Sequence, residues 1–247
     1  FTPAPPRVLA HRGLALEAPE NTLLAFVAAI GIGVTHIETD VHASSDGVAV
    51  ISHDPELPRV AGIDGRVDAL SFTRLQEIDL GHDQTFCSLA EALDAFPETR
   101  FNIDIKSSDA VAPTVAAILD AKAVDRVLVT SFSESRRRAA VSGLPGVATS
   151  ASSALFATAL VAGRLRSAPL LRRVLRGIDA VQIPEQYSGV RIVTDRMIRL
   201  LHSAKVEVHV WTVNDAPAMH RLLDLGVDGI VTDRADIALG VLTTRAQ

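Results

Sequence analysis

Eight short apolar runs recur along the 247-residue chain, at 7–11, 35–41, 101–106, 126–131, 147–151, 180–183, 206–213 and 229–232. Helical patterns fill most of the spaces between them. Parallel strands need long crossovers, and helices are the usual crossovers, so this alternation predicts a parallel sheet wrapped by helices. Eight is also the number that closes a (β/α)8 barrel. An open doubly wound sheet would bring a Gly-rich phosphate turn after its first strand, and His11-Arg12-Gly13 is not one. The expectation is an α/β fold of the (β/α)8 TIM-barrel type, one domain over residues 1–247.

One stretch breaks the rhythm. Residues 55–86 hold Pro58, Gly62, Gly65 and Gly81 with a single helical piece at 71–78, and read as an insertion after strand 2 too small for a core of its own. Elsewhere the local signals are regular. Asn21 or Thr22 caps the first helix, and Ser88 with Glu91 three residues on forms a capping box. The run Arg136-Arg137-Arg138 is expected on a solvated helix face, and the Ala/Leu-rich stretch to Arg176 is expected to be helical.

Composition bounds the function. Hydrophobic residues make up 48%, enough for a large core, and the formal charge of −5 provides no basic field for nucleic acid. No apolar run is long enough to span a bilayer. The single cysteine, Cys87, excludes an intrachain disulfide framework and a cysteine zinc site. A soluble, cytoplasmic protein is the expectation; the alternative is a targeting segment cleaved ahead of the Pro-rich lead. Oligomeric state is left open.

The chemistry gathers between His36 and Asp54. On a strand, side chains two apart share a face, so His36, Glu38, Asp40 and His42 point one way. Adjacent carboxylates repel unless neutralised, and a hard divalent cation is a natural partner. Asp46-Gly47 supplies a tight turn, and the returning strand at 48–52 brings His53-Asp54 back to the same end.

In a barrel the chemistry lies at the strands' C-terminal ends. His11-Arg12, Glu38 with Asp40, Asn102 with Asp104 and Lys106, Ser131-Phe132, Gln182, Trp211 with Asn214, and Thr232-Asp233 all fall there. Glu38, Asp40 and Asp104 are candidate ligands for Mg²⁺ or Ca²⁺. Arg12 and Lys106 are fixed cations for an anionic substrate. His11 and His53 suit proton transfer near neutrality. Metal-assisted attack on a phosphorus ester unites them. Simpler readings stand beside these: Asp104 with Lys106 as an internal ion pair, His53 with Asp54 as a turn fixture, Trp211 as core. Asp54 is read as orienting His53, and His42 as standing behind the site. Asn21, Gln182 and Trp211 complete the candidate substrate contacts.

Together these residues resemble the glycerophosphodiester phosphodiesterase family. The matching pieces are His11-Arg-Gly, Pro19-Glu-Asn-Thr22, Glu38-Thr-Asp-Val41, Asp46-Gly47 with His53-Asp54, Asn102-Ile-Asp-Ile-Lys106, Trp211-Thr-Val-Asn214 and Gly226-Val-Asp-Gly-Ile-Val-Thr-Asp233. The resemblance implies a divalent metal at Glu38, Asp40 and Asp104 and a catalytic pair with His11 as acid and His53 as base. The implied reaction cleaves a glycerophosphodiester to sn-glycerol 3-phosphate and an alcohol. Asp104 stands where the family usually has Glu. A lysophospholipase D acting on a lysophospholipid is the near alternative. A barrel aldolase forming a Schiff base on Lys106 is the distant one.

Overall fold

The computed structural model describes residues 4–165, 167–187 and 189–245. Strand β1 (Arg7–His11) leads through helix α1 (Leu23–Gly31) to β2 (His36–Ala43), which turns back as β3 (Ala49–Ile51). The expected insertion follows, with α2 (Pro58–Ala61) and α3 (Phe72–Gln76), before α4 (Leu89–Ala95) and β4 (Arg100–Ile105) restore the rhythm. Then come α5 (Val111–Asp120), β5 (Val127–Thr130), α6 (Glu134–Gly143) and β6 (Ala148–Thr149). Helices α7 (Ser153–Arg164) and α8 (Ala168–Val174) lead to β7 (Ala180–Pro184) and an antiparallel ribbon of β8 (Gln186–Tyr187) and β9 (Val190–Arg191). The chain then runs through α9 (Asp195–Ser203), β10 (Glu207–Trp211), α10 (Ala216–Asp224), β11 (Gly229–Thr232) and α11 (Ala235–Arg245).

Eight parallel strands lie in the order β6-β5-β4-β2-β1-β11-β10-β7, and β3 pairs antiparallel with β2. The two ends meet through a parallel bridge between Ser150 and Ala180, with the Ala151 amide donating to the Ala180 carbonyl at 2.9 Å. The result is a nearly closed TIM barrel. Phe26 packs edge-on against Phe101 and Phe96, with ring centroids 5.8 and 6.2 Å away, fixing α1 and α4 against the sheet. Each such ring contributes about 1.5–3 kcal/mol through burial alone.

Local signals explain the element ends. Thr22 caps α1, Ser88 and Glu91 form the capping box of α4, and Asp215 caps α10. Two expectations need correction. The insertion does have a small core: Leu57, Val67, Leu75 and Phe86 bury together with Val50 of β3. Arg137 is not on a solvated face; it is buried, pairing with Glu134 and donating to Thr149 Oγ1 at 3.4 Å. The guanidinium reaches inward to Thr149 of β6 while Glu134, one turn back on α6, accepts from it at 2.8 Å. The Ala/Leu-rich stretch is helical as expected, in α7 and α8.

Below the mouth, the barrel floor is polar. His36 and His209 are buried among Arg7, Arg100 and Glu207, and Arg7 pairs with Glu207. Burial, reinforced by the charges of Arg7 and Arg100, lowers the His36 pKa from 6.5 to about 3. Above pH 6.5 both folded and unfolded chains hold this imidazole neutral; below it only the unfolded chain gains the proton, until about pH 3. Stability is therefore expected to fall with acid, by at most about 1.4 kcal/mol per pH unit from this group. Urea midpoints from pH 7 to 4 should decline less steeply in His36→Gln than in the wild type; equal slopes would refute the assignment.

Candidate active site

Register brings the chemistry together. Across β2 and β4, Glu38 stands beside Asn102 and Asp40 beside Asp104; across β1 and β2, His11 stands beside Glu38. All five open into one cavity of about 610 Å³ at the strands' C-terminal ends. Arg12, His53, Lys106, Gln182 and Trp211 share it.

The turn after β1 needs unusual backbone. Arg12, Gly13 and Asn21 have φ values of 58°, 85° and 57°, the left-handed region that Gly and Asn tolerate best. Gly13 has a second constraint: a Cβ there would lie 2.7 Å from the Ala25 backbone carbon. The Arg12 amide donates to the Glu38 carbonyl and the Asn21 amide to the Arg12 carbonyl, each at 2.9 Å. This knot aims the Arg12 guanidinium across the mouth, with Nε 3.3 Å from Asp40 Oδ2.

Lys106 neutralises the paired aspartates. Its Nζ lies 2.8 Å from Asp40 Oδ1 and 2.7 Å from Asp104 Oδ2, beneath the ring of Phe132 at 5.6 Å. The internal ion pair considered for Asp104 is thus present. Burial alone would lower the lysine pKa, yet the two carboxylates hold it above its ordinary value. Burial would raise Asp40, but Lys106 and then Arg12 overcome this and hold it below the usual range. Asp104 is raised by its burial, against the pull of Lys106. Glu38 has no such cation, and burial with the neighbouring Asp40 charge raises it to about 8.

Among the described residues, the acids and imidazoles are not gathered closely enough round one point to form a ready-made metal cage. Their chemistry nevertheless fits a hard cation. Three carboxylates face one cavity, Asp104 Oδ1 is buried without a hydrogen-bond partner among the described residues, and burial with the Asp40 charge outweighs His11 and Lys106 at Glu38.

Each candidate imidazole is held by a carboxylate. His11 Nδ1 lies 2.6 Å from Asp233 Oδ1, and its Nε2 is 3.9 Å from Glu38 Oε2. Asn214 clamps Asp233, donating to its Oδ2 at 2.7 Å while accepting from its amide at 2.9 Å. His53 Nδ1 lies 2.6 Å from Asp54 Oδ1, and Asp54 in turn pairs with Arg59 of α2. Arg59 reaches on to Glu20 at 2.6 Å, and Glu20 to Arg12 at 3.0 Å. His42 supports the same turn, its Nε2 3.2 Å from the His53 carbonyl oxygen.

Of the expected substrate contacts, Trp211 and Gln182 line the cavity. Trp211 packs edge-on against Phe132, and Gln182 Oε1 accepts from Asn102 at 3.2 Å. Asn21 is placed differently: it is buried behind Asp40, donating to Oδ2 at 3.1 Å and accepting from Thr39 at 2.8 Å. It positions the acid. The sequence places Asn214 and Asp233 at the mouth but not their pairing with each other and with His11, and it does not single out Arg59. Barrel closure was the available signal for the first two, because it places the last strand beside the first.

Fold and mouth define a barrel enzyme for an anionic ester. The chain matches the Glycerophosphoryl diester phosphodiesterase family over residues 11–237. It is 43% identical over 241 residues to a probable glycerophosphodiester phosphodiesterase 2 of Mycobacterium tuberculosis, covering 97% of this chain and 91% of that one. A lysophospholipase D of Mus musculus is 26% identical, with 92% and 83% covered. In structure the chain is similar to an Oleispira antarctica phosphodiesterase in complex with the product sn-glycerol-3-phosphate, at a TM-score of 0.81, 24% identity and 97% coverage of both. The chain belongs to the glycerophosphoryl diester phosphodiesterase family.

The His11 environment yields a direct test. Burial lowers its pKa, but the Asp233 hydrogen bond and the Glu38 charge outweigh this and raise it above 6.5. Removing the Asp233 charge should let burial prevail. Imidazole NMR titration should place His11 above 6.5 in the wild type and below it in Asp233→Asn; an unmoved titration would show that Asp233 does not set its basicity.

Proposed function

We propose that this chain hydrolyses glycerophosphodiesters to sn-glycerol 3-phosphate and an alcohol. One divalent cation, Mg²⁺ or Ca²⁺, would be held by Glu38, Asp40 and Asp104, with His11 and His53 moving the protons. The observation that carries this reading is the pair of imidazoles on one cavity, each held at Nδ1 by a carboxylate at 2.6 Å, beside Arg12 and Lys106. Such a cation supplies Lewis-acid polarisation of a phosphoryl oxygen.

The protein's own groups divide the remaining work. Arg12 faces the substrate's negative charge from one side of the mouth. Lys106 keeps Asp40 and Asp104 together and adds positive charge as the transition state gains negative charge. His53, steered by Asp54, takes the proton from the attacking water. His11, its pKa raised, remains protonated towards neutral pH and delivers a proton to the departing alkoxide. An aldolase reading lacks support: a Schiff-base lysine needs a lowered pKa, and Lys106 is held above its ordinary value.

A lysophospholipase D action on the same site has one supporting observation. Phe156, Leu160, Ile183, Ile192 and Trp211 give the cavity an apolar end facing its charged one, with room for a chain-bearing substrate. A panel of glycerophosphodiesters and lysophospholipids, compared by kcat/KM, separates the two substrate classes.

Exhaustive dialysis against EDTA should abolish activity, and Mg²⁺ or Ca²⁺ should restore it. Glu38→Gln should also be inactive while melting no lower than the wild type, because it removes a carboxylate that burial already disfavours. Full turnover in EDTA would sink the metal reading. Asp104→Glu should reorder the activating ions if Asp104 is a ligand.

The histidine roles separate by leaving group. A p-nitrophenolate departs without a proton, whereas an alkoxide needs one. His11→Ala should lose about 10²–10⁴ in rate on glycerophosphocholine and far less on a p-nitrophenyl phosphodiester. His53→Ala should be impaired on both; if it is instead the variant rescued, the roles are reversed.

A further inference from the structure

Charge is unevenly distributed along this chain. Between residues 132 and 205 the sequence carries twelve Lys or Arg against four Asp or Glu, within a chain of net charge −5. The same segment builds the apolar end of the cavity through α7 and the β8–β9 ribbon.

Helix α7 lies along the mouth instead of descending the barrel wall. Phe156, Ala157 and Leu160 line the cavity, and the last turn is tied to the start of α9, where Arg196 donates to the Gly163 carbonyl at 2.9 Å. Helix α9 follows β7, so its start lies at the mouth. On α7, Ala157, Val161 and Leu165 fall four apart, forming one stripe that runs from the cavity wall to the surface. On the ribbon after β7, Tyr187 and Val190 are paired residues on one face, and Tyr187 also lines the cavity. Among the described residues the three most exposed large apolar side chains are Tyr187 at 69%, Leu165 at 67% and Phe132 at 57%. Phe132 and Tyr187 line the cavity, and Leu165 ends the α7 stripe. Arg164, Arg191 and Arg196 are exposed near them, outnumbering the two acids there, Glu185, 3.9 Å from Arg191, and the exposed Asp195.

Scattered exposed apolar residues are ordinary, but a cluster continuous with a cavity and edged by arginine is not. Exposed aromatic and aliphatic groups edged by guanidinium groups match an anionic phospholipid surface. We infer that the α7 stripe and the β8–β9 ribbon dock the barrel mouth onto an anionic membrane surface. Docking turns the apolar end of the cavity towards the lipid. The inference rests on the proposed reaction only for its purpose; the binding itself needs no turnover.

Vesicle flotation of the full chain tests it, with phosphatidylcholine alone or mixed equally with phosphatidylglycerol, at low and high salt. The wild type should float with the anionic vesicles and be released by salt, since the arginine contribution is screened. Leu165→Glu with Val190→Glu should reduce the bound fraction at least about tenfold with an unchanged circular dichroism spectrum. Arg191→Glu, a single exposed change, should weaken binding to anionic vesicles only. Failure of the wild type to float, or equal flotation of wild type and variants, overturns the proposal. So does sedimentation showing a wild-type dimer that the double variant dissociates, because the patch would then join two copies.

Discussion

Two aspartates facing each other across adjacent parallel strands cannot both remain charged in a protein interior without a cation between them. The β2–β4 register imposes that problem at Asp40 and Asp104, and Lys106 answers it from the end of the same ladder. From Asp40 the alternation of sign continues outward through Arg12, Glu20 and Arg59 to Asp54 and His53. The barrel wall, the turn after β1 and the insertion are therefore joined by one chain of opposed charges. Breaking a buried link such as Lys106 leaves a carboxylate uncompensated, typically a loss of about 3–5 kcal/mol. Exposed links such as Arg59 contribute little to stability by comparison. Their contribution is geometric: Arg59 fixes Asp54, and Asp54 fixes His53.

Glu38 stands outside this chain. It sits on the same face of β2 as Asp40, yet among the described residues no lysine or arginine side chain pairs with it, and its carboxyl is raised to about 8. Near neutral pH such a carboxyl holds its proton, so the lasting support for a protonated His11 comes from Asp233. A cation placed beside Glu38 would favour its ionised form, which makes this acid a natural place for one.

The barrel was legible in the sequence because alternation of strand and helix survives without tertiary information. The inward face of β2 was legible for a similar reason: a two-residue period identifies which side chains share a side. Partnerships across the closure were harder to read. Asp233 meets His11 across 222 residues of chain, and only the β1–β11 ladder brings them together. Arg59 was obscured by the irregular insertion, where no periodicity assigns a direction. Arg137 was misread because three consecutive arginines suggest solvent, while burial depends on what waits beneath each one. Asn21 matched a cavity residue by its position beside the mouth; a left-handed backbone turned it behind Asp40 instead.

The closure between β6 and β7 rests on a single bridge with a few neighbouring hydrogen bonds, whereas β1, β2 and β4 share long ladders. The charged groups stand on the strongly laddered arc. The apolar lining hangs on the lightly stitched one, through α7 and the ribbon after β7. The proposed proton-transfer groups and the apolar lining therefore stand on different arcs of one barrel. A substitution near the seam can reshape the pocket while the β1–β2–β4 ladders keep His11, Glu38, Asp40 and Asp104 in register.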